Sequence, residues 1–113
     1  MYKIYHNPRC RKSREGLAYL QGKTNDFQVR EYLKEPFTVD ELNQIILKTG
    51  MKPFDFVRKQ EDLYKKEFKG KDFSDAQWID ILVANPKLIE RPIVESAKLA
   101  VLAQPPENIN EII

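Results

Sequence analysis

The chain has 113 residues, 42% of them hydrophobic, which fits one compact domain spanning 1–113 and leaves no room for a second, since domains most often hold about 100–150 residues. Its formal charge of +2 is the small difference between 19 basic and 17 acidic residues, which excludes the strong positive field of a nucleic-acid binder. No run approaches the roughly 20 apolar residues that span a bilayer, and the single cysteine excludes an internal disulfide or a zinc site built from several thiolates.

These bounds lead to the expectation of a cytoplasmic protein that works on a small molecule, without nucleic acid, membrane, metal or nucleotide. Met1-Tyr2-Lys3-Ile4-Tyr5 lacks the layout of a secretion signal. Any redox work by Cys10 must recruit an outside thiol.

Tyr2 and Ile4 alternate with polar residues in the manner of a strand, and Asn7-Pro8 punctuates the chain before a helix. That helix runs from Arg11 to about Gly22, with Leu17 and Leu20 on its apolar face and Gly22 as its stop. Phe27, Val29 and Tyr32 then suggest a second strand. Thr38 with Glu41 has capping-box spacing ahead of Leu42, Ile45 and Ile46, which predicts a helix of about 10 residues ending near Gly50. Ser74 with Gln77 repeats the signal before Trp78, Ile79 and Leu82, and Asn85-Pro86 closes that helix.

Between the two helices, the segment from Arg58 to Lys71 carries six basic and three acidic residues and reads as solvated helix and loop. After Pro92, Ile93-Val94 and the alternation of Leu99 and Val101 suggest a hairpin, and Pro105-Pro106 leads into a terminal helix with Ile109, Ile112 and Ile113. The order predicts an α/β domain with a mixed sheet. The first two strands are joined by a crossover helix and can be parallel, and the last two are antiparallel.

A cysteine serves as a nucleophile to the extent that it is a thiolate. His6-Asn7-Pro8-Arg9-Cys10-Arg11-Lys12-Ser13-Arg14 places Cys10 at a predicted helix start, where free N–H groups, the helix dipole and the adjacent cations favour the anion. At a free pKa of about 8.5 roughly 3% of a thiol is ionised at pH 7; at a pKa of about 6 the fraction is roughly 90%. Ser13, one turn into the helix, is placed to donate its hydroxyl to the sulfur, and His6 to add a proton or a charge. The same donors suit an oxyanion. Taken alone, the cluster is compatible with a reactive thiol or with an inert core cysteine, and His6 with a structural histidine.

The stretch from Ile4 to Arg14 resembles the H-x3-C-x3-R pattern of the ArsC/Spx family, which includes the glutaredoxin-coupled arsenate reductases. Asn7-Pro8 precedes the cysteine and Ser13 precedes Arg14, as in the family. Gly50-Met51-Lys52-Pro53 leading to Val57-Arg58-Lys59 is similar to the family's middle anion-binding segment. Asn85-Pro86-Lys87-Leu88-Ile89-Glu90-Arg91-Pro92-Ile93-Val94 resembles its NPxLIxRPIV signature.

The resemblance covers essentially the whole chain. It implies a thioredoxin-like mixed sheet with a helical insertion and Pro92 as a cis-proline facing the catalytic loop. By the same resemblance Cys10 is the catalytic thiol, His6, Ser13 and Arg14 stabilise the thiolate, and Arg58 and Arg91 bind the oxyanion. Glutathione is the implied co-substrate and glutaredoxin the implied partner: Cys10 attacks arsenate, the adduct accepts glutathione, and glutaredoxin resolves the mixed disulfide.

One position departs from the pattern. Ala100-Val101-Leu102-Ala103-Gln104-Pro105-Pro106-Glu107 puts Gln104 where arsenate-reducing members carry a third arginine. Loss of one charge-assisted bond costs about 1.5–3 kcal/mol of anion affinity unless a cation such as Lys98 substitutes. The departure brings forward a glutathione-dependent thiol-disulfide reductase with another substrate. A regulator of the Spx type, which binds RNA polymerase, is the alternative of a different class, although Ser13 stands where such regulators carry the second cysteine of their switch.

Overall fold

A computed structural model describes residues 1–113, which fold as two compact units: residues 1–35 with 91–113, and residues 36–90. The first unit holds a four-stranded sheet of order β2-β1-β3-β4. It is built from β1 (Tyr2–His6), β2 (Phe27–Glu31), β3 (Ile93–Glu95) and β4 (Ala100–Leu102). Helix α1 (Arg11–Lys23) crosses from β1 to β2, so these strands pair in parallel. β1 pairs antiparallel with β3, and β3 with β4. The predicted α/β mixed sheet with a helical insertion is the fold observed.

Ile4, Tyr5 and His6 are buried in succession, as a strand covered on both faces requires. Ile4, Leu20, Val94, Val101, Ala103 and Ile109 form the core of this unit, with Leu17, Tyr19, Phe27 and Ile112 at its margin. Gly16 is fixed by packing: a Cβ there would lie 2.4 Å from Cγ of Pro92 and 3.6 Å from Cβ of Ala103. Only a residue without a side chain lets α1 approach the Arg91-Pro92 segment this closely.

Several boundaries differ from expectation. Gly22 does not stop α1, whose C-cap is Thr24, with its N–H bonded to the Leu20 carbonyl. Tyr32 lies past the end of β2 yet is buried, while Val29 on the strand is exposed, since β2 is an edge strand with one open face. Leu99 is exposed in the turn before β4. The C-terminal helix is a 3₁₀ helix, Pro106–Glu111, which buries Ile109 but leaves Ile113 exposed.

In the second unit, helix α2 (Val39–Thr49) and helix α3 (Asp75–Ala84) pack together. Both predicted capping boxes are formed: Thr38 Oγ1 accepts from the Glu41 N–H and Ser74 Oγ from that of Gln77, with the reciprocal bonds in place. Gly50 closes α2 at φ 72°, the left-handed conformation that favours glycine. The segment 58–71 is more than a solvated stretch. A π-helical turn, Tyr64–Phe68, buries Tyr64 and sets it and Phe68 in a ring cluster around Trp78, with centroids 6.4 and 6.2 Å away. Phe54 and Phe73 complete the cluster. No helix of the protein is long and apolar enough to cross a membrane.

Candidate active site around Cys10

The register of the sheet explains how distant residues meet. β1 ends at His6 and pairs with β3, in which Ile93 opposes Tyr5, so Arg91-Pro92 arrives at the sheet end from which the Cys10 loop departs. Ile93 also opposes Leu102, which brings Ala103-Gln104 to that same end. Helix α1 begins there as well, with Cys10 at its N-cap.

Asn7 shapes the loop. Its carbonyl accepts the Cys10 N–H at 3.0 Å and its Oδ1 accepts the Arg9 N–H at 3.1 Å. Its own N–H donates 2.9 Å to Ser13 Oγ. Arg14 Nη1 donates to the Pro8 carbonyl at 3.0 Å, so Arg14 clamps the loop from outside. The charge of Arg14, expected to favour the thiolate, also acts on His6.

Ser13 Oγ, fully buried, is shared between the Asn7 N–H and His6 Nδ1, which lies 2.7 Å away. The Ser13 backbone N–H acts on the sulfur, while the hydroxyl, expected to do so, sits between Asn7 and His6. Burial lowers the His6 pKa below the ordinary histidine value; the charge of Glu31 and the contact with Ser13 oppose the shift, and the charge of Arg14 adds to it. His6 is thus a neutral imidazole at pH 7, orienting Ser13 rather than lending charge to the thiol.

Cys10 is buried and free. Burial pushes its thiol pKa up, but the Ser13 N–H, the charge of Arg91, the Lys12 N–H and a hydrogen bond from the Arg91 side chain together bring it below the ordinary thiol value. The Cys10 side chain makes no cap bond to the helix, and the Ser13 and Lys12 amides of the first turn act on the sulfur together with the helix-end field. No acidic residue in that turn neutralises them. Arg91, itself buried, supplies the cation at the sulfur, and Arg91-Pro92 is a cis peptide. Pro92 is thus cis, the geometry the resemblance implied.

Arg58 belongs to the second unit. Its guanidinium lies 3.5 Å from Glu61 and 3.8 Å from Glu90, so two carboxylates already offset its charge. Lys98, in the turn at the far end of the β3–β4 hairpin, cannot supply the charge missing at Gln104; the cation sharing a cleft with Gln104 is Lys12. That cleft, of about 380 Å³, is also lined by Glu15, Ala103, Pro105 and Pro106. The packing of Gly16 against Pro92 and the bond between Gln104 and Arg91 were not anticipated, because both join residues far apart in sequence. No three His, Cys, Asp or Glu side chains converge to hold a metal ion.

A thiol at the start of the helix after β1, beside a cis-proline that leads into an antiparallel hairpin, defines a protein of the thioredoxin-like fold. The ArsC family profile matches residues 5–112. The protein YfgD of Escherichia coli, described as uncharacterized, is 40% identical over 113 residues, spanning 98% of this chain and 95% of its own. An arsenate reductase of Haemophilus influenzae is 38% identical over 112 residues, 97% of each chain. The solved structure of an arsenate reductase from Vibrio cholerae superimposes with a TM-score of 0.92 at 38% identity, covering 99% of this chain and 97% of that one. The chain belongs to the ArsC family.

Proposed function

We propose that the protein is a thiol-dependent oxidoreductase that reduces arsenate to arsenite through Cys10, with glutathione as co-substrate and glutaredoxin as partner in the cytoplasm. The observation that carries this reading is the placement of a lone buried thiol at the N-cap of α1, at the sheet end where the buried Arg91 arrives, a setting that favours the thiolate. A nucleophile of that kind attacks a tetrahedral oxyanion and needs no dedicated base. Family relatives named as arsenate reductases support the choice of oxyanion.

The balance is simple. The Cys10 thiolate displaces one arsenate oxygen, which leaves as water. A glutathione thiol then supplies the second sulfur. Two thiols lose two electrons and become a disulfide while As(V) gains them and leaves as As(III), and a glutaredoxin thiol takes up the glutathionyl group, which returns Cys10 to the thiol. Arg91 and the amides at the start of α1 stabilise the charge on the arsenate oxygens. Arg58 enters this reading through the family resemblance, and its test is a raised KM for arsenate in Arg58→Ala with Cys10 reactivity unchanged.

A second reading is favoured by Gln104, whose side chain brings no charge: the same thiol would serve a glutathione-dependent reductase that acts on another small molecule or a protein disulfide instead. Arsenate-dependent NADPH oxidation, coupled through glutathione, glutaredoxin and glutathione reductase, separates the two. Turnover by the wild type and none by Cys10→Ser supports arsenate reduction; turnover on mixed disulfides alone supports the second reading.

A further inference from the structure

Gln104 has a task other than meeting an anion. Its Nε2 donates to the main-chain carbonyl of Arg91. The N–H of Ala103, next in the chain, donates to the Pro92 carbonyl at 2.9 Å. Residues 103 and 104 thus hold both carbonyls of the Arg91-Pro92 dipeptide. Behind them, Asn108 Nδ2 donates 3.1 Å to the carbonyls of Leu102 and Gln104, which ties the grip to the C-terminal 3₁₀ helix, itself anchored by the buried Ile109.

A charge-assisted contact depends steeply on where its donor sits, and a side chain can be no better placed than the backbone that bears it. The grip stands directly on the residue whose charge and side chain act on the Cys10 thiol. Gln104 is half-buried, so its bond to the Arg91 carbonyl is only partly open to competition from water.

We propose that Gln104 is a positioning residue, which holds the carbonyl of Arg91 and thereby fixes the guanidinium of Arg91 beside the sulfur of Cys10. The proposal rests on Cys10 being the working thiol and is independent of whether arsenate is the oxyanion.

The test is the pH profile of Cys10 alkylation by iodoacetamide, which needs neither arsenate nor glutathione. It is run on the folded wild type, Gln104→Leu, Arg91→Ala and the double variant, each checked by circular dichroism. His6, Lys12 and Arg14 are unchanged throughout. Gln104→Leu is expected to move the midpoint upward by about one pH unit and to slow alkylation about tenfold at a pH well below both midpoints. In the Arg91→Ala background it is expected to have no further effect. An unchanged midpoint in Gln104→Leu, or an equal shift in both backgrounds, overturns the proposal. Gln104→Met, of similar length and without a donor, repeats the measurement if leucine disturbs folding. Absence of arsenate turnover alongside the expected alkylation pattern would count against the oxyanion and leave Gln104's task standing.

Discussion

Burial alone would hold Cys10 as a neutral thiol, and it is the opposing amides and the Arg91 guanidinium that decide its state. His6 shows burial winning instead. Its pKa is depressed, so between the ordinary value near about 6.5 and its lower folded value the unfolded chain binds more protons than the folded one. The resulting stability is present above the ordinary value and is lost as pH falls through the folded pKa. Urea denaturation between pH 8 and 5 should therefore show a steeper acid-side loss for the wild type than for His6→Gln; identical pH dependence would mean that His6 does not titrate differently on folding. The motif around Cys10 was legible because its parts lie within one strand end, one loop and one helical turn. Arg91 was assigned to an oxyanion by resemblance, but no local pattern could show that it also sets the thiol, since that depends on the pairing of β1 with β3.

At the scale of elements, the packing of α1 on the hairpin is limited by one atom. A methyl at Gly16 would overlap Pro92 at 2.4 Å, and Pro92 is a ring with little freedom to move. Gly16→Ala is accordingly expected to destabilise the protein by about 1–3 kcal/mol, as overpacking of a close contact does, and to lower Cys10 reactivity by displacing the Arg91-Pro92 segment. Chemical denaturation and alkylation read the two effects separately; unchanged stability would show that the contact relaxes at no cost. The capping boxes of α2 and α3 were legible from four residues each, since their bonds close within one turn. The ends of α1 and β4 were not. Gly22 meets nothing a Cβ would disturb and therefore left no packing signature, and Leu99 matched the strand alternation while lying in the turn.

For the molecule as a whole, the sheet unit depends on chain from both ends of the sequence, residues 1–35 and 91–113. The short C-terminal 3₁₀ helix closes its core through Ile109, which is 0% exposed. Ile109→Ala should cost about 2–5 kcal/mol, a loss measurable by urea denaturation, whereas Ile113→Ala, on an exposed side chain, should cost little. Equal effects would place the core boundary elsewhere. The apolar pattern of this tail was visible in the sequence, but not which of its three isoleucines turns inward, because a 3₁₀ turn repeats every three residues rather than at the helical 3.6. The aromatic cluster around Trp78 escaped for a related reason: Tyr64 and Phe68 are spaced along a π-helical turn inside a strongly charged segment.

The central claim is that the Cys10 thiolate forms a covalent bond with the oxyanion and then with the thiol. Intact-mass analysis of the wild-type protein, incubated with arsenate and glutathione in the absence of glutaredoxin and followed by peptide mapping, tests it most directly. The expected result is an arsenate-dependent adduct confined to the peptide that contains Cys10, carrying arsenic or glutathione, and absent when phosphate replaces arsenate or when Cys10 is serine. A protein that stays unmodified, or that gains glutathione equally with and without arsenate, would contradict it.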